Sequence, residues 1–492
     1  MRTHGLVFVG AIVGMATLGI VACSDDGTLG GAPPPSGTSS GTSGGASGTS
    51  GGTNPDGGQL PPEQRPQETL EGEIAASRTL TADKNYLIKG LVSVKPGATL
   101  TIEKGTVLKG DNASKGILLV EAGAKIEAVG TPDEPIVFTS QAAEGQKKPG
   151  DWGGLIILGN APINVKDTNG NPIQQSIEGI LAAGVGTSSK YGGDNPDDSS
   201  GKLQYIRIEY SGVVIGENNE VNGVTFGGVG RGTVVDHIQV RQTLDDCFEF
   251  FGGTVDAKYL ACQHNEDDGF DFDLGYTGRL QFLVLQQDPS HEGDDNGFES
   301  DNDDKGTGNL PLTAPTIYNA TLCGKNTSLA KEQYGMLLRK NTRGTYKNLV
   351  VSGFQAALDI RDGIGQGAAG ELTITNSVFF NSKGAGAYVV TDHIAFVEQG
   401  STAGQPDRDD DSSLDEVAWF KGQAGNAWTD PGITGCFNAS APVFGPAASL
   451  TDGAATPPND GFFDATATYK GAFKDANDKW AQTGKWAVWS DK

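Results

Sequence analysis

The chain has 492 residues, of which 73 are glycine and 36% are apolar, and it carries a formal net charge of −25. Binding to a nucleic-acid backbone depends on Lys and Arg displacing counterions, so this charge excludes a general nucleic-acid binder and favours cations, or partners reached through cations. The length allows several domains, but a fold of repeated units can keep it as one body.

The first 23 residues have the features of an export signal. Arg2 precedes an apolar run from Leu6 to Val21 that is too short for a membrane-spanning helix, and Ala22 stands ahead of Cys23. This ending resembles the bacterial lipobox, in which the cysteine is acylated; an ordinary cleaved signal is the alternative. We therefore expect lipid attachment at Cys23, contact with a membrane through that anchor, and, because Ser24 follows, a place at the outer membrane on its periplasmic or cell-surface side.

Residues 24–66 are nearly all Gly, Ser, Thr and Pro. Such a composition cannot bury enough apolar surface to offset the conformational entropy lost on folding. We expect a flexible tether that separates the folded part from the membrane.

Four cysteines follow the tether, at Cys247, Cys262, Cys323 and Cys436. An exported chain permits disulfides, but four cysteines allow three pairings and their spacing selects none. Cys247 and Cys262 are possible partners, and free buried cysteines remain the alternative.

Residues 67–395 consist of short runs rich in β-branched residues, broken by Gly and Asn. The pairs Gly97-Ala98 and Gly123-Ala124 lie 26 residues apart. Further along, Asp245, Asp267 and Asp294 begin similar acidic phrases at steps of 22 and 27 residues. A repeat of this length predicts one coil of a parallel β-helix, since a propeller blade needs about 40 residues. A β-sandwich would need regularly spaced hairpin signals, and "VNGV" at 221–224 is an isolated one.

Several phrases in order, "LQYIRIEYSG", "DDCFEFFGGTVDAKYL", "DDGFDFDLGYTGRLQFLV", "NGFESDND" and "DGFFDATATYKGAF", resemble a large group of exported bacterial proteins. The group has a right-handed parallel β-helix of the pectin-lyase-like kind. The resemblance covers residues from about Leu70 to Lys492 and implies this all-β solenoid fold, but no established reaction comes with it.

Residues 396–492 differ in texture. An acidic loop leads to a short predicted helix that Ser412 or Ser413 could cap, with Val417, Trp419 and Phe420 on its apolar face. The aromatic residues crowded into the last 31 residues indicate a cap that closes the open end of the solenoid, because an uncovered coil exposes strand edges. A sugar-stacking platform is the alternative.

Strand alternation predicts how the acidic phrases are arranged. It places Phe248, Phe270 and Phe298 in one stack inside the solenoid and Glu249 and its counterparts in neighbouring coils outside it. We call the acids of these phrases the carboxylate row: Asp245, Asp246, Glu249, Asp267, Asp268, Asp271, Asp273, Asp294, Asp295, Glu299 and Asp301.

Carboxylates about 5 Å apart repel one another by about 1 kcal/mol in water and by more near a surface of low dielectric constant. We therefore expect the row to bind a cation, and calcium fits best because it takes six to eight oxygen ligands in flexible geometry. The core of this site is expected at Asp267, Asp268, Asp271, Asp273, Glu299 and Asp301. The alternative is that these acids form turns and surface ion pairs, with Arg339 and Arg361, beside Asp359, as bases.

Three functions are compatible with these features. The preferred one is a lipid-anchored binding or scaffold protein that depends on calcium and takes an acidic glycan or an outer-membrane protein complex as partner. The second is a calcium-assisted polysaccharide lyase or glycosidase, for which the resemblance to pectin-lyase-like folds implies Arg339 or Arg361 as base or charge stabiliser, with His291 a further candidate. The third is a structural surface rod. No complete catalytic phrase is present, so a binding protein is the more economical interpretation.

Overall fold

The fold is taken from a computed structural model that describes residues 60–178, 180, 189–216, 219–293, 295–329, 333–362, 371–386, 389–396 and 414–490. Cys23, most of the tether, Asp294, Ser412 and Ser413 lie outside the described residues. None of the helices in the described part is long and apolar enough to cross a membrane.

Twenty-nine strands and one α-helix make up the regular structure of the described residues. The strands are β1 Gln67–Ile74, β2 Arg78–Leu80, β3 Asn85–Val94, β4 Thr99–Ile102, β5 Val107–Gly110, β6 Ile117–Val120, β7 Lys125–Val129, β8 Ile136–Ser140, β9 Gly154–Leu158, β10 Gln175–Ser176, β11 Lys190–Tyr191, β12 Gly201–Glu209, β13 Val213–Gly216, β14 Asn219–Val221, β15 Val224–Gly227, β16 Val234–Thr243, β17 Phe248–Phe251, β18 Ala257–Asn265, β19 Phe270–Asp273, β20 Arg279–Gln286, β21 Phe298–Ser300, β22 Thr316–Cys323, β23 Met336–Leu338, β24 Gly344–Ser352, β25 Asp359–Ile360, β26 Leu372–Thr375, β27 Val378–Phe380, β28 Val390–Thr391 and β29 Ala395–Phe396. The helix is α1 Glu416–Gly422.

Twenty-three of these strands form one continuous sheet that winds through the chain with parallel pairing. Each strand pairs with its counterpart in the coil before and the coil after, as β17 does with β15 and β19. The predicted all-β parallel β-helix is therefore confirmed. The Gly-Ala repeat also has its expected meaning, because Gly97 and Gly123 both turn the chain with φ near +86° (87° and 85°) and Gly97 N–H donates to Gly123 O at 2.9 Å.

Three faces run along the helix. One begins with β2, β4 and β7 and continues through the first halves of the long strands from β12 to β24. The second follows β5 and β8 and the second halves of the same long strands. The third runs β6, β9, β15, β17, β19, β21, β23 and β25. The carboxylate row lies on and just before this third face.

Each long strand bends where one residue adopts a left-handed conformation. The residues at this bend in successive coils are Tyr205, His237, Tyr259, Phe282, Asn319, Asn348 and Asn376. Asparagine and histidine tolerate positive φ better than most residues do, so Tyr205, Tyr259 and Phe282 at this place need a compensating interaction. Stacking supplies part of it: the His237 ring lies 4.5 Å from that of Tyr205 and 4.3 Å from that of Tyr259, measured between centroids.

The residues of the predicted cap that follow residue 413 form two parts with different positions. Helix α1 closes the end, since Phe420 is fully buried and stacks on Phe379 with 4.1 Å between centroids. Its N-terminal cap is Asp415, whose carboxylate accepts from Ala418 N–H at 2.8 Å. The sequence suggested Ser412 or Ser413 because it could not locate the first helical turn.

Residues 433–490, which we call the C-terminal strap, do not close the end. They run back along the side of the β-helix, over the bends of the long strands. There the ring centroid of Trp486 lies 5.2 Å from that of His237, and the ring centroid of Trp480 lies 5.2 Å from that of Tyr259. The sequence placed these aromatics in an end cap, and in the structure they lie along the side of the solenoid instead, because the rings at the bends form an apolar stripe there that they cover. Trp486, 1% exposed, is packed rather than presented as a sugar platform.

Amide side chains at the bends bind the backbone of the strap. Gln239 donates to Val488 O at 2.9 Å and accepts from Val488 N–H at 2.8 Å, and Asn348 makes the same pair of bonds with Ala455 at 2.9 and 2.7 Å. These side chains thus satisfy backbone groups of a segment that has no strand of its own.

Two disulfides are present. Cys247 pairs with Cys262, as the sequence allowed, and Cys323 pairs with Cys436, which ties the strap to β22.

The last residues of the predicted tether, 60–66, contact the helix. Pro62–Gln64 form a 3-10 turn, and Arg65 Nη1 donates to Gly105 O at 2.8 Å. The tether therefore ends a few residues earlier than its composition suggested.

Candidate metal site on the third face

The predicted alignment of the acidic phrases is confirmed. Glu249 pairs with Asp271, and Asp271 pairs with Glu299, in parallel strands of adjacent coils. Their inward neighbours form the expected stack, with ring centroids 5.4 Å apart between Phe248 and Phe270 and 5.6 Å apart between Phe270 and Phe298. All three rings are fully buried, so the hydrophobic core fixes the spacing of the acids outside.

A second line of polar side chains lies in the turn before the third face. Asn222 Oδ1 accepts from the backbone N–H of Asp246 at 3.2 Å, and Asp246 Oδ1 accepts from Asp268 N–H at 2.8 Å. Asp268 Oδ1 then accepts from Asn296 N–H at 2.7 Å, and Asn296 Oδ1 from Tyr334 N–H at 3.0 Å. At both ends of the line, asparagine is the residue that accepts a backbone N–H of the next coil. The negative charges of the two central aspartates are therefore not required by the backbone.

The other terminal atom of each side chain, Nδ2 in asparagine and Oδ2 in aspartate, determines how the residue interacts with the neighbouring acid. Asn296 Nδ2 donates to Glu299 Oε2 at 3.3 Å. Asp268 occupies the equivalent position one coil earlier and has a carboxylate oxygen in place of this amide donor. It therefore repels the carboxylate of Asp271, whereas Asn296 forms a hydrogen bond with that of Glu299.

The carboxylate oxygens converge in three overlapping groups, within each of which the ligand atoms lie within 4.8 Å of one another. The groups are Asp245, Asp246 and Asp267; Asp246, Glu249 and Asp271; and Asp268, Asp271 and Glu299. Calcium–oxygen distances are about 2.4 Å, so atoms on opposite sides of one ion are about 4.8 Å apart. Each group can therefore supply three ligands to one ion.

Burial and mutual repulsion act together on these groups. Burial first, and the neighbouring carboxylates second, raise the pKa of Asp245, Asp246, Glu249, Asp268 and Asp271 well above the ordinary range. Burial also raises the pKa of Asp273 to about 8. Ionised carboxylates in such a place need a positive charge close by.

In the described residues, the nearest positive charges act on the row only from its later end, where Arg339 lowers the pKa of Asp271 and Lys340 that of Asp273 without offsetting burial. None of Asp245, Asp246, Glu249, Asp268, Asp271 and Asp273 forms a salt bridge within the described ranges. Two buried oxygens, Asp245 Oδ2 and Asp271 Oδ1, have no hydrogen-bond partner, and Asp245 is only 6% exposed. Buried polar atoms are nearly always satisfied, so these two are suited to a ligand.

The row ends differently on the side of the later coils. Arg339 Nε donates to Asp301 Oδ1 at 2.8 Å and Arg339 also pairs with Glu299, while Lys340 Nζ lies 2.8 Å from Asp301 Oδ2. In the next coil, Arg361 pairs with Asp359 at 3.0 Å. At this end the alternative interpretation, an ion-pair network, is confirmed. Asp301 is already neutralised and is a weaker ligand than its sequence position suggested.

Sequence reasoning missed two acids that lie near the row. Glu178, in the segment between β10 and β11, has its pKa raised to about 7, by burial first and then by repulsion from Glu220. Glu220 belongs to β14, and the charges of both acids add to the repulsion at Asp245. Neither carries an acidic phrase around it, so only the folding of their segments onto the third face could reveal them.

Two sequence candidates lie apart from the converging oxygens. Asp295 pairs with Lys325 at 2.6 Å and belongs to none of the three groups. The His291 ring lies 3.1 Å from Glu266 O through Nε2, in the same loop region, and is not part of the groups either.

A pocket of about 640 Å³ adjoins the ion-paired end of the row. Its lining includes the cationic side chains of Lys305, Arg339, Lys340 and Arg361, together with Asp304 and Asp362. The third face therefore changes along its length from carboxylates without salt bridges to a cationic pocket.

Comparison with known proteins agrees with the fold. The model of the pectate-lyase-like beta helix domain matches residues 72–424, which is more than half of the chain. Searches of curated proteins and of solved structures find no match to the chain.

Proposed function

Because this chain belongs to the family of pectate-lyase-like β-helix domains, we propose that it is a calcium-dependent binding protein whose ligand is an acidic glycan. The observation that carries the proposal is the set of converging, mostly buried carboxylates without salt bridges at the centre of the third face. The family membership supplies the scaffold and does not by itself supply an activity.

Calcium fits the donor set better than other common ions do. All converging ligands are carboxylate oxygens, and the three groups contain neither histidine nor cysteine, which zinc prefers. Asp246 and Asp268 stand where Asn222 and Asn296 make the same backbone bonds without charge. The backbone hydrogen bonds do not require the negative charges of these two residues, whereas binding of a cation would.

An acidic glycan fits what surrounds the metal groups. A chain with a net charge of −25 repels polyanions, so an acidic partner needs a bridging cation and a local positive surface. Calcium on the central groups and the cationic pocket beside them would provide both. Arg339 and Arg361 are held by carboxylates of the chain, so their contribution to the pocket is positive charge, to which Lys305 and Lys340 add.

The placement of this protein at the outer membrane through a lipid on Cys23 belongs to the same proposal. It rests on the signal-like N-terminus and on the tether composition. Labelling with a radioactive fatty acid in the native cell tests it, with Cys23→Ala as the variant that must lose the label.

The proposal is tested by glycan binding with and without calcium. We expect the full chain to bind uronate-containing polymers in calcium and to release them in a chelator, and Lys340→Ala or Arg361→Ala to weaken binding without abolishing calcium uptake. A neutral polymer of the same length is the matched control ligand. Equal binding in calcium and in chelator would contradict the proposal, and no binding to any glycan would favour a structural surface rod.

A lyase is the second candidate, favoured by the position of Arg339 and Arg361 at the pocket next to the acids. Both guanidinium groups are held by carboxylates, and Arg339 has its pKa raised by Glu299 and Asp301 against the effect of burial, so neither is suited to accept a proton. Ultraviolet detection of unsaturated uronate ends in calcium, lost in Arg339→Ala, would support the lyase. Binding without such products supports the binding protein.

A further inference from the structure

Lys325 and Asp295 form a charged pair that is completely removed from water. Lys325 Nζ lies 2.6 Å from Asp295 Oδ1, and both side chains are 0% exposed. Lys325 follows β22, and Asp295 lies in the turn before β21, so the pair joins neighbouring coils. Removing two charges from water costs several kcal/mol each, and a buried pair repays this only with complete hydrogen bonding.

Two further contacts of the pair are compatible with an amide in its place. Lys325 Nζ donates to His291 O at 2.7 Å, and Asp295 Oδ1 accepts from Gln333 Nε2 at 2.8 Å. Asp295 Oδ2 is buried and has no hydrogen-bond partner. An amide between the two side chains would keep one N–H for His291 O and one carbonyl oxygen for Gln333, and it would dispense with the oxygen that has no partner.

We propose that Lys325 and Asp295 condense to an intramolecular isopeptide bond that cross-links the two coils. In the reaction, one proton passes from the Lys325 ammonium to Asp295 Oδ2, and the amine nitrogen attacks Asp295 Cγ. Gln333 Nε2 stabilises the negative charge that develops on Oδ1. A second proton from nitrogen goes to Oδ2, the Cγ–Oδ2 bond breaks, and water leaves. The third proton remains as the amide N–H, so atoms and charge balance and no oxidant or reductant takes part.

The position of the pair favours the reaction. The nucleophile and the carboxyl carbon are held together by two packed coils, which replaces a bimolecular encounter by an intramolecular one. The reaction also converts two buried charges into one neutral, hydrogen-bonded group. The inference is independent of the proposed function, because Asp295 belongs to none of the three metal groups.

Peptide mapping of the full-length chain by mass spectrometry tests the cross-link. After reduction of the disulfides, trypsin should leave the bond after Lys325 uncut. The peptides 280–305 and 306–331 should then appear joined, with a mass lower than their sum by one water molecule. A cyclic imide at an aspartate would lose the same water but would not join two peptides.

Variants locate the bond. Asp295→Ala and Lys325→Arg should each abolish the joined peptide, and Lys340→Arg, which changes a lysine in the partly buried ion pair with Asp301, should retain it. The proposal is overturned if the wild-type chain yields only separate peptides with cleavage after Lys325, or if the joined species persists in Asp295→Ala. The wild-type measurement decides even if a variant fails to fold.

Discussion

Replacing Asp246 by asparagine separates the structural role of this residue from its charge. Asp246→Asn keeps an oxygen that can accept from Asp268 N–H, as Asn222 and Asn296 do in neighbouring coils. It removes one charge from two of the three carboxylate groups. We expect opposite effects in the two conditions: a higher melting temperature in chelator, where repulsion dominates, and a smaller increase on adding calcium.

The pH dependence of stability measures the cost of ionising these buried acids. Burial raises the pKa of Asp273 from 3.8 to about 8 and that of Glu178 from 4.5 to about 7, so the folded chain binds more protons than the unfolded chain between about pH 5 and pH 7. The stability that these protons confer is therefore lost as the pH rises. Each group changes the free energy of unfolding by about 1.4 kcal/mol per pH unit, so the two together lose at most ~5 kcal/mol over two units, and less where water screens them.

This free energy corresponds to a measurable shift. An unfolding entropy of about 2.1 cal/mol/K per residue gives ~0.9 kcal/mol/K for the folded unit, so the melting temperature in chelator should fall by no more than ~5 °C from pH 5 to pH 7. Calcium at one hundred times its dissociation constant stabilises by about 2.7 kcal/mol, or ~3 °C per ion. Its effect should be largest above pH 7, because protons compete for the same oxygens below that.

Differential scanning fluorimetry of the full chain at pH 5, 7 and 8, with calcium or with chelator, measures these shifts. Asp133→Asn is the matched control, since Asp133 is exposed between β7 and β8 and its replacement changes the net charge equally. The reasoning is refuted if the wild type melts at one temperature in calcium and in chelator at pH 8. It is also refuted if Asp246→Asn keeps the full calcium shift.

Three further predictions concern the surroundings of the site. Phe270→Ala empties the centre of the phenylalanine stack and should lower the free energy of unfolding by about 3–5 kcal/mol in a denaturant titration, whereas a loss below 1 kcal/mol would contradict the packing. Cys436→Ser detaches the C-terminal strap from Cys323 and should make the strap the first segment cut in limited proteolysis; unchanged cleavage would show that its amide contacts hold it alone. Arg339→Gln leaves Glu299 uncompensated and should destabilise the chain in chelator by about 3–5 kcal/mol, with partial rescue by calcium, while absence of rescue would separate this end of the row from the metal groups.

Strand alternation was enough to predict the alignment of the third face. The phrases that begin at Asp245 and Asp267 repeat the same alternation of phenylalanine and acid, and they lie one coil apart, so equivalent residues stack. The same pattern could not show that Asp246 and Asp268 occupy asparagine positions. That equivalence depends on which side-chain oxygen meets which backbone N–H across coils, and the acidic phrases do not contain Asn222. The contribution of Glu178 was also hidden, since its segment reaches the row through tertiary folding and not through a repeat.

The course of the strap shows a different limit of sequence reasoning. Aromatic density near the C-terminus indicated a surface to be covered, but it did not say which one. The determining residues lie some 200 positions earlier, where Tyr205, His237 and Tyr259 take left-handed bends and present their rings outward. The role of these rings cannot be predicted from one coil alone. Stacking of the coils brings the rings together into the apolar stripe that Trp480 and Trp486 cover.

The two ends of the carboxylate row differ in a way that bears on function. If acids on this face served only to form turns and surface ion pairs, bases would be expected along its whole length, as they are found beside Glu299 and Asp301. Instead, the central acids lack salt bridges in the described part of the chain and pack against a phenylalanine core that prevents them from moving apart. A fold that holds like charges together in this way must be compensated by protons or by a cation. Protons compensate these acids up to the pH at which their raised pKa values are exceeded, which for Asp273 is about 8. Above that pH we propose that a cation takes over, and calcium is the one whose ligand preferences this arrangement meets.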